Sequence, residues 1–598
     1  MNPQKYSVNQ HQISTFLAFV KDGQIAIPEV QRPFVWDASR VRDLIDSLYR
    51  GYPIGYVITW QNPNVRLKDG RLSEGKKILI DGQQRITALR AAVLGEDVVN
   101  KEYDKVKIKI AFNPITEAFE VQNPAILKDK TWISDISEVL NNQSIIQTVK
   151  GYSAENSNID EHIIERSITR LLDIQNKQIG TIDLAHDLDI ETVTTIFIRI
   201  NKQGVELSQA DFAMSKIASN ERFDGPKLRK AIDYFCHLAV APHYFEHIKG
   251  HDKEFSETDY FKAMTWLKDE KDDLYDPSYT DVLRVAFTSE FQRGRLSDLV
   301  SLLSGRNFQT REYEESIAED TFARMKKSLI SLMNMTNFKR FVMIIRSAGF
   351  ISSEMIRSQN TLNFAYILYL KLKESGVEKH KIARHVSRWF VFSVLTSRYG
   401  GSPESVFDYD IKQLSSKSFG EYFEAVENAE LSDAFWEVGL IQRLNTAISS
   451  SPIFNVFQAS MVKGNDKGFL SRDITVADII LYHGDIHHIF PKNYLKNNNK
   501  SRGEYNQIAN YVLMQQEINI SIGAKSPDIY FNELKKQCSG EIALKYGGID
   551  NMVELMNNLK THCIPESIFE MTVENYGEFL EQRRKLMAQK MKNYYFSL

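Results

Sequence analysis

The chain has 598 residues, with 74 Lys and Arg against 77 Asp and Glu, a formal charge of −3. That length implies about three to four domains, and 43% hydrophobic with 25% charged residues is an ordinary globular composition able to bury large cores. Near-neutrality excludes a broadly basic nucleic-acid binder, so any DNA-binding surface has to be a local patch. Cys236, Cys538 and Cys563 are far apart with no C-x-x-C pair, which excludes a disulfide scaffold or thiolate zinc site and fits a reducing cytoplasm. Met1–Gln12 is polar, unlike a signal peptide, and no window approaches the roughly 18 apolar residues of a membrane span. A cytoplasmic location without membrane insertion is the expectation.

In chain order, Ile27–Trp36 reads as an extended aromatic-rich segment. Asp37 is an N-cap for a helix over 38–50 that Gly51 stops. Ile54–Trp60 reads as a strand, Asp69-Gly70 as a turn, and Lys77–Ile80 as a short strand running into Asp81-Gly82. Gln83–Leu94 is then a helix closed by Gly95, and Lys105–Phe112 alternates like another strand. Helices follow near 159–177, 188–200 and 208–219. From about 220 to 430 the pattern is almost wholly helical, with i, i+3, i+4 spacing in Thr321–Met335, Leu362–Leu372 and Lys381–Leu395. Ser449–Pro452 and Lys463–Gly468 are the linker candidates. This gives three domains: 1–220 α/β, 221–445 a helical connector, and 446–598 mixed.

The chemically richest stretch is 485–527. Asp485-Ile-His487-His488-Ile-Phe-Pro491 sets two adjacent histidines in a β-prone context. Strand neighbours point to opposite faces, so a flat strand cannot easily offer both to one metal. A twisted hairpin gives one to a metal and the other to a water. A second short strand is expected over Ile508–Met514, followed by a helix carrying Asn519.

At the other end stand four pieces. They are Ile27-Pro-Glu-Val-Gln31-Arg32-Pro-Phe34-Val-Trp36, Pro53-Ile-Gly55, Asp81-Gly82-Gln83-Gln84-Arg85 after Ile80, and Phe197-Ile-Arg199-Ile-Asn201 running on to Gly204 and Leu207. A strand, Asp-Gly, then a helix offers backbone N–H groups to a phosphate. Gly82 lets the phosphate approach and Arg85 offers a planar fork for its oxygens. Asp81 binds Mg²⁺ or orients a water in this reading, with Gln31 and Arg32, or Arg199 and Asn201, completing the pocket from other segments. No G-x-x-x-x-G-K-[ST] loop is present, so this is no P-loop NTPase. Phe34 and Trp36 read as core first and as a cage for a flipped or modified base second.

The C-terminal set resembles the HNH, or ββα-metal, nuclease motif, in the variant that ends GmrSD-type restriction proteins. The N-terminal pieces resemble the GmrSD N-terminal domain, related to the ParB/sulfiredoxin-like fold. The resemblance implies a multidomain α+β chain: a ParB/sulfiredoxin-like α/β domain, a helical middle, and an HNH domain with flanking helices. It implies His487 and Asn519 as metal ligands, His488 as general base, and Asn510 as the residue holding the His488 loop. His in place of the more common Asp ligand makes Mn²⁺-type metals more plausible beside Mg²⁺, with Ni²⁺ also compatible. His483 ranks below His487 as a ligand.

The implied function is a modification-dependent (type IV) DNA restriction endonuclease in anti-phage defence, its HNH cleavage regulated by binding and hydrolysis of GTP, ATP or CTP. The expected partners are double-stranded DNA, modified phage DNA in particular, and nucleotide, with a homodimer compatible. The alternatives are a nucleotide-switched DNA-binding regulator and a nonspecific DNA-nicking effector. His243, His247 and His251 sit at i, i+4, i+8 but read as solvated or cap-adjacent. Arg324–Lys327 and Arg583–Lys592 read as solvated charged faces, with phosphate contact as the alternative.

Overall fold

The computed structural model describes residues 4–26, 36–61, 77–99, 105–141, 144–185, 188, 192–193, 196, 208–218, 220–416, 418–482 and 484–598. It is a mixed α+β chain in two compact units. One comprises Met1–Ala231 with Val300–Phe322, the other Ile232–Leu299 with Ala323–Leu598. The helical tract from about 323 onward and the C-terminal region, expected as separate domains, therefore cluster in one unit.

The first unit is built on a five-stranded sheet. Its strands are β1 (Tyr6–Gln12), β2 (Ile25–Ala26), β3 (Tyr56–Gln61), β4 (Lys77–Asp81) and β9 (Gln178–Leu184), in the order β1-β9-β3-β4-β2. β9 runs antiparallel to β1 and parallel to β3, and β3 is antiparallel to β4. Helices α1 (Ile13–Lys21), α2 (Ala38–Tyr49) and α3 (Gln83–Leu94) pack on the sheet through Phe16, Val41, Ile45 and Ile86. The Asp37 side chain caps α2 by accepting from the Arg40 N–H at 2.8 Å, and Gly95 ends α3 in the left-handed region.

Two expectations change here. The single strand over 105–112 is broken into β6 (Lys105–Val106), paired with β5 (Val98–Val99), and β7 (Ile110–Asn113), paired with β8 (Ala118–Val121). Every residue of β7 is buried, so it follows no half-exposed alternation. The helix expected over 159–177 spans Glu161–Leu172 with a 3-10 turn to Asn176. The chain then enters β9, which the sequence reading lacks although it sits between β1 and β3. Gly180 interrupts its pattern because the Tyr56 ring lies on it, 2.6 Å from where a Cβ would stand.

The second unit is helical until residue 485. The linker candidates around 449–468 flank a core helix instead: Pro452–Lys463 starts on Pro452 and buries Ile453, Phe454, Val456, Phe457 and Met461. Two short antiparallel strands follow, β10 (Ile486–His488) and β11 (Tyr511–Leu513), then the helices Gln516–Ile522 and Pro527–Cys538 and a long helix, Tyr576–Ser597. No helix among the described residues is long and apolar enough to cross a membrane.

Candidate active site

In the second unit β10 and β11 pair His487 with Val512 and His488 with Tyr511, and the chain then turns into the helix bearing Asn519. This is the ββα order. Between the strands, Asn510 is fully buried on a 3-10 turn. Its amide oxygen accepts from the Phe490 N–H at 2.8 Å, and its nitrogen donates to the Phe490 and Tyr505 carbonyls at 3.1 and 3.2 Å. It closes the loop leaving His488.

The His488 ring stands edge-on to Tyr511 at 5.2 Å and to Tyr505 at 6.4 Å. Its Nε2 lies 3.1 Å from the Asn506 amide oxygen. That oxygen only accepts, so Nε2 carries the proton and Nδ1 keeps its lone pair. Burial lowers the His488 pKa, with the Asn506 bond opposing and the Lys492 charge assisting. Burial also lowers His487, partly offset by Asp485. Both rings are therefore biased to the neutral form.

His487 Nε2 is buried and has no hydrogen-bond partner. A buried polar atom without a partner costs stability and calls for an occupant. A neutral imidazole nitrogen in that state fits a divalent metal, and Asn519 stands half-buried on the following helix. Among the described residues no group of three or more His, Cys, Asp and Glu could hold a metal ion. His483 lies outside the described residues.

The sequence reading missed Asn506, four positions before Asn510, although the N-Q-I-A-N spacing displays both. It also misplaced Arg583. Rather than a charged face, Arg583 is fully buried. Its Nη1 donates to the carbonyls of Ala509 and Tyr511, both at 2.8 Å, and its Nε to His562 at 3.2 Å. The guanidinium thus holds both neighbours of Asn510 with no carboxylate beside it, and burial pulls its pKa down to about 10. Further along the run Arg584 donates to the Asn445 and Gln507 amide oxygens, Lys590 pairs with Asp466 and Lys592 with Asp433, while Lys585 is exposed. Arg324 and Lys327 are held by Glu290, and Lys326 by Asp259. Most cations of both basic runs are thus already taken up by carboxylates, amides or burial. His247 and His251 stack at 4.0 Å, and His251 Nδ1 bonds the His247 carbonyl.

In the first unit Asp81 ends β4, Gly82 caps α3 at φ 89°, and Arg85 follows one turn on. Arg85 Nη1 donates to the carbonyls of Ile54 and Tyr56 at 3.1 and 2.8 Å, and Nη2 approaches Asp81 at 3.4 Å. The Pro53-Ile-Gly55 piece is thereby explained, since a Cβ on Gly55 would lie 2.8 Å from Nη1. Only part of the Arg85 fork is left for a phosphate. Gln83 Nε2 donates to the Leu79 carbonyl at 3.0 Å, and Gln84 is half-buried beside it on α3. Gln31, Arg32, Phe34, Arg199 and Asn201 lie outside the described residues. Trp36 is partly buried against the core.

Asp183 on β9 was not anticipated. Its carboxylate accepts from Thr59, from Asn9 at 2.6 Å and from Lys77 at 2.8 Å. Burial opposes its charge, but these three partners outweigh burial and hold it below the usual carboxylate range.

Residues 13–218 match the family described as GmrSD restriction endonuclease, N-terminal domain. The match is confined to this N-terminal region, about a third of the chain. It is also similar end to end, at 23% identity over 97% of this chain and 98% of the other, to an uncharacterized protein of Methanocaldococcus jannaschii.

Proposed function

We propose that this chain is a metal-dependent DNA endonuclease of type IV restriction, cutting at its ββα element under control of nucleotide bound by the N-terminal domain. The observation that carries the nuclease reading is the pair of neighbouring imidazoles with different fates. His487 has a buried Nε2 without a partner, and His488 has Nε2 tied to Asn506. One is ready to be a ligand and the other a base.

His488 Nδ1 takes the proton of a water as its oxygen bonds to phosphorus and the P–O bond to the leaving sugar oxygen breaks. Asn506 fixes the His488 tautomer and ring. Asn510 holds the loop from which the ring projects. A divalent cation held by His487 and Asn519, Mg²⁺ or Mn²⁺, would supply positive charge against the phosphate as negative charge develops.

In the N-terminal domain Asp81, Gly82, Gln83, Gln84 and Arg85, with Gln31, Arg32, Arg199 and Asn201, form the site for GTP, ATP or CTP, and its hydrolysis sets when the nuclease acts. The match of residues 13–218 to the GmrSD restriction endonuclease N-terminal domain supports modified phage DNA as the target.

The test is cleavage of phage DNA differing only in cytosine modification, across metals and nucleotides. His488→Ala should abolish cleavage with an unchanged circular dichroism spectrum, and a variant that still cuts would sink the assignment. Asp81→Ala should lose nucleotide binding and nucleotide control of cleavage together. Unaltered control in a protein that no longer binds nucleotide would remove the N-terminal half of the reading.

A further inference from the structure

The chain carries two obvious basic runs, and most of their cations are taken up by carboxylates, amides or burial. A further group of cations lies directly after Pro491. Between 492 and 504 the sequence has four cations, Lys492, Lys496, Lys500 and Arg502, against one carboxylate, Glu504, in a molecule whose total charge is −3. Lys500 takes that carboxylate at 3.4 Å. Lys492 and Lys496 are exposed and one turn apart on the helix Lys492–Asn497. Among the described residues neither has a carboxylate within ion-pair distance, while Lys500 beside them does.

Both ammonium groups reach over the same ring, Tyr505, at 5.9 and 5.8 Å from its centroid. Tyr505 is buried and is the ring that His488 faces at 6.4 Å. Cation–π attraction to one shared ring holds two like charges side by side that would otherwise diverge. The pair is set one aromatic ring from the candidate base, close enough for the Lys492 charge to be felt at His488. Ammonium groups bind phosphate as point charges without reading sequence.

We propose that Lys492 and Lys496 form a binding site for the sugar–phosphate backbone of duplex DNA, holding phosphates that flank the bond presented to His488. This rests on the nuclease reading above. It adds the surface that positions the strand, and it makes that surface independent of base identity.

The test is binding of a labelled duplex by the intact protein in EDTA, over a range of salt concentrations, with cleavage measured separately in metal. Each phosphate contact contributes close to one unit to the salt slope, so Lys492→Gln/Lys496→Gln should make that slope shallower by about two. Affinity should fall by about tenfold or more, equally for unrelated sequences. Lys492→Arg/Lys496→Arg should retain the slope, as should Lys326→Gln/Lys327→Gln, whose charges are already paired. If wild type binds and cuts but Lys492→Gln/Lys496→Gln keeps its slope, the site is wrong and the nuclease reading stands. If wild type neither binds nor cuts any DNA, both fall. Loss of affinity for an acidic protein with an unchanged DNA slope would also overturn the proposal.

Discussion

Asn510 spends its amide on one loop, accepting from the Phe490 N–H and donating to two carbonyls while fully buried. Asn510→Ala leaves those backbone groups unsatisfied, and a cost of about 3 kcal/mol is expected in urea unfolding. Asn510→Asp should be no better, since a carboxylate cannot donate to the Phe490 and Tyr505 carbonyls. Asp183 makes the equivalent commitment in the other unit. Its folded pKa lies below its unfolded value, so its stabilisation is complete above the unfolded pKa and is lost as pH falls through the folded one. Asp183→Asn should cost about 1–2 kcal/mol near neutrality, and the difference from wild type should shrink on acidification in urea titrations run as a pH series. These residues differ in how readily sequence reveals them. Asn510 stands out because a motif with defined spacing surrounds it, whereas Asp183 lies in a strand whose partners, Asn9, Thr59 and Lys77, come from three other strands.

At the scale of elements, Arg85 ties the start of α3 to the segment that enters β3. Gly55 has φ 85° and faces Arg85 Nη1, so Gly55→Ala should cost about 1–2 kcal/mol from strain and displacement of the guanidinium. In an Arg85→Met background part of that cost should vanish. A double-mutant cycle by thermal or urea unfolding measures the coupling, and strict additivity would refute the contact. Local patterning makes α2 and α3 legible down to the Asp37 cap and the Gly95 stop. β9 was not legible, because the Gly180 that breaks its pattern is there for Tyr56, a residue over a hundred positions away. Arg583 was hidden for a related reason. In sequence it opens a run of charges, yet its environment is three carbonyls brought together by β11 and the turn at His562. Arg583→Met should strand those carbonyls and destabilise the second unit by about 3 kcal/mol, seen as a lower melting temperature.

For the whole molecule, near-neutral charge means that the DNA binding proposed above would depend on where a few unpaired cations lie rather than on how many there are. Sequence order suggests domains following one another along the chain, and periodicity identifies the long helices well. It cannot show that residues 300–322 belong with the first unit, because that grouping is set by packing between distant segments. The same distance separates the histidine pair from the guanidinium that supports it. Between His488 and Arg583 lie β11, the helix with Asn519 and the turn at His562, so the guanidinium that braces Ala509 and Tyr511 is the last of these pieces to be made. A nascent or prematurely terminated product can carry both histidines and both asparagines and still lack their support. In such a product the pairing of β10 with β11 would have to stand without the brace across both neighbours of Asn510.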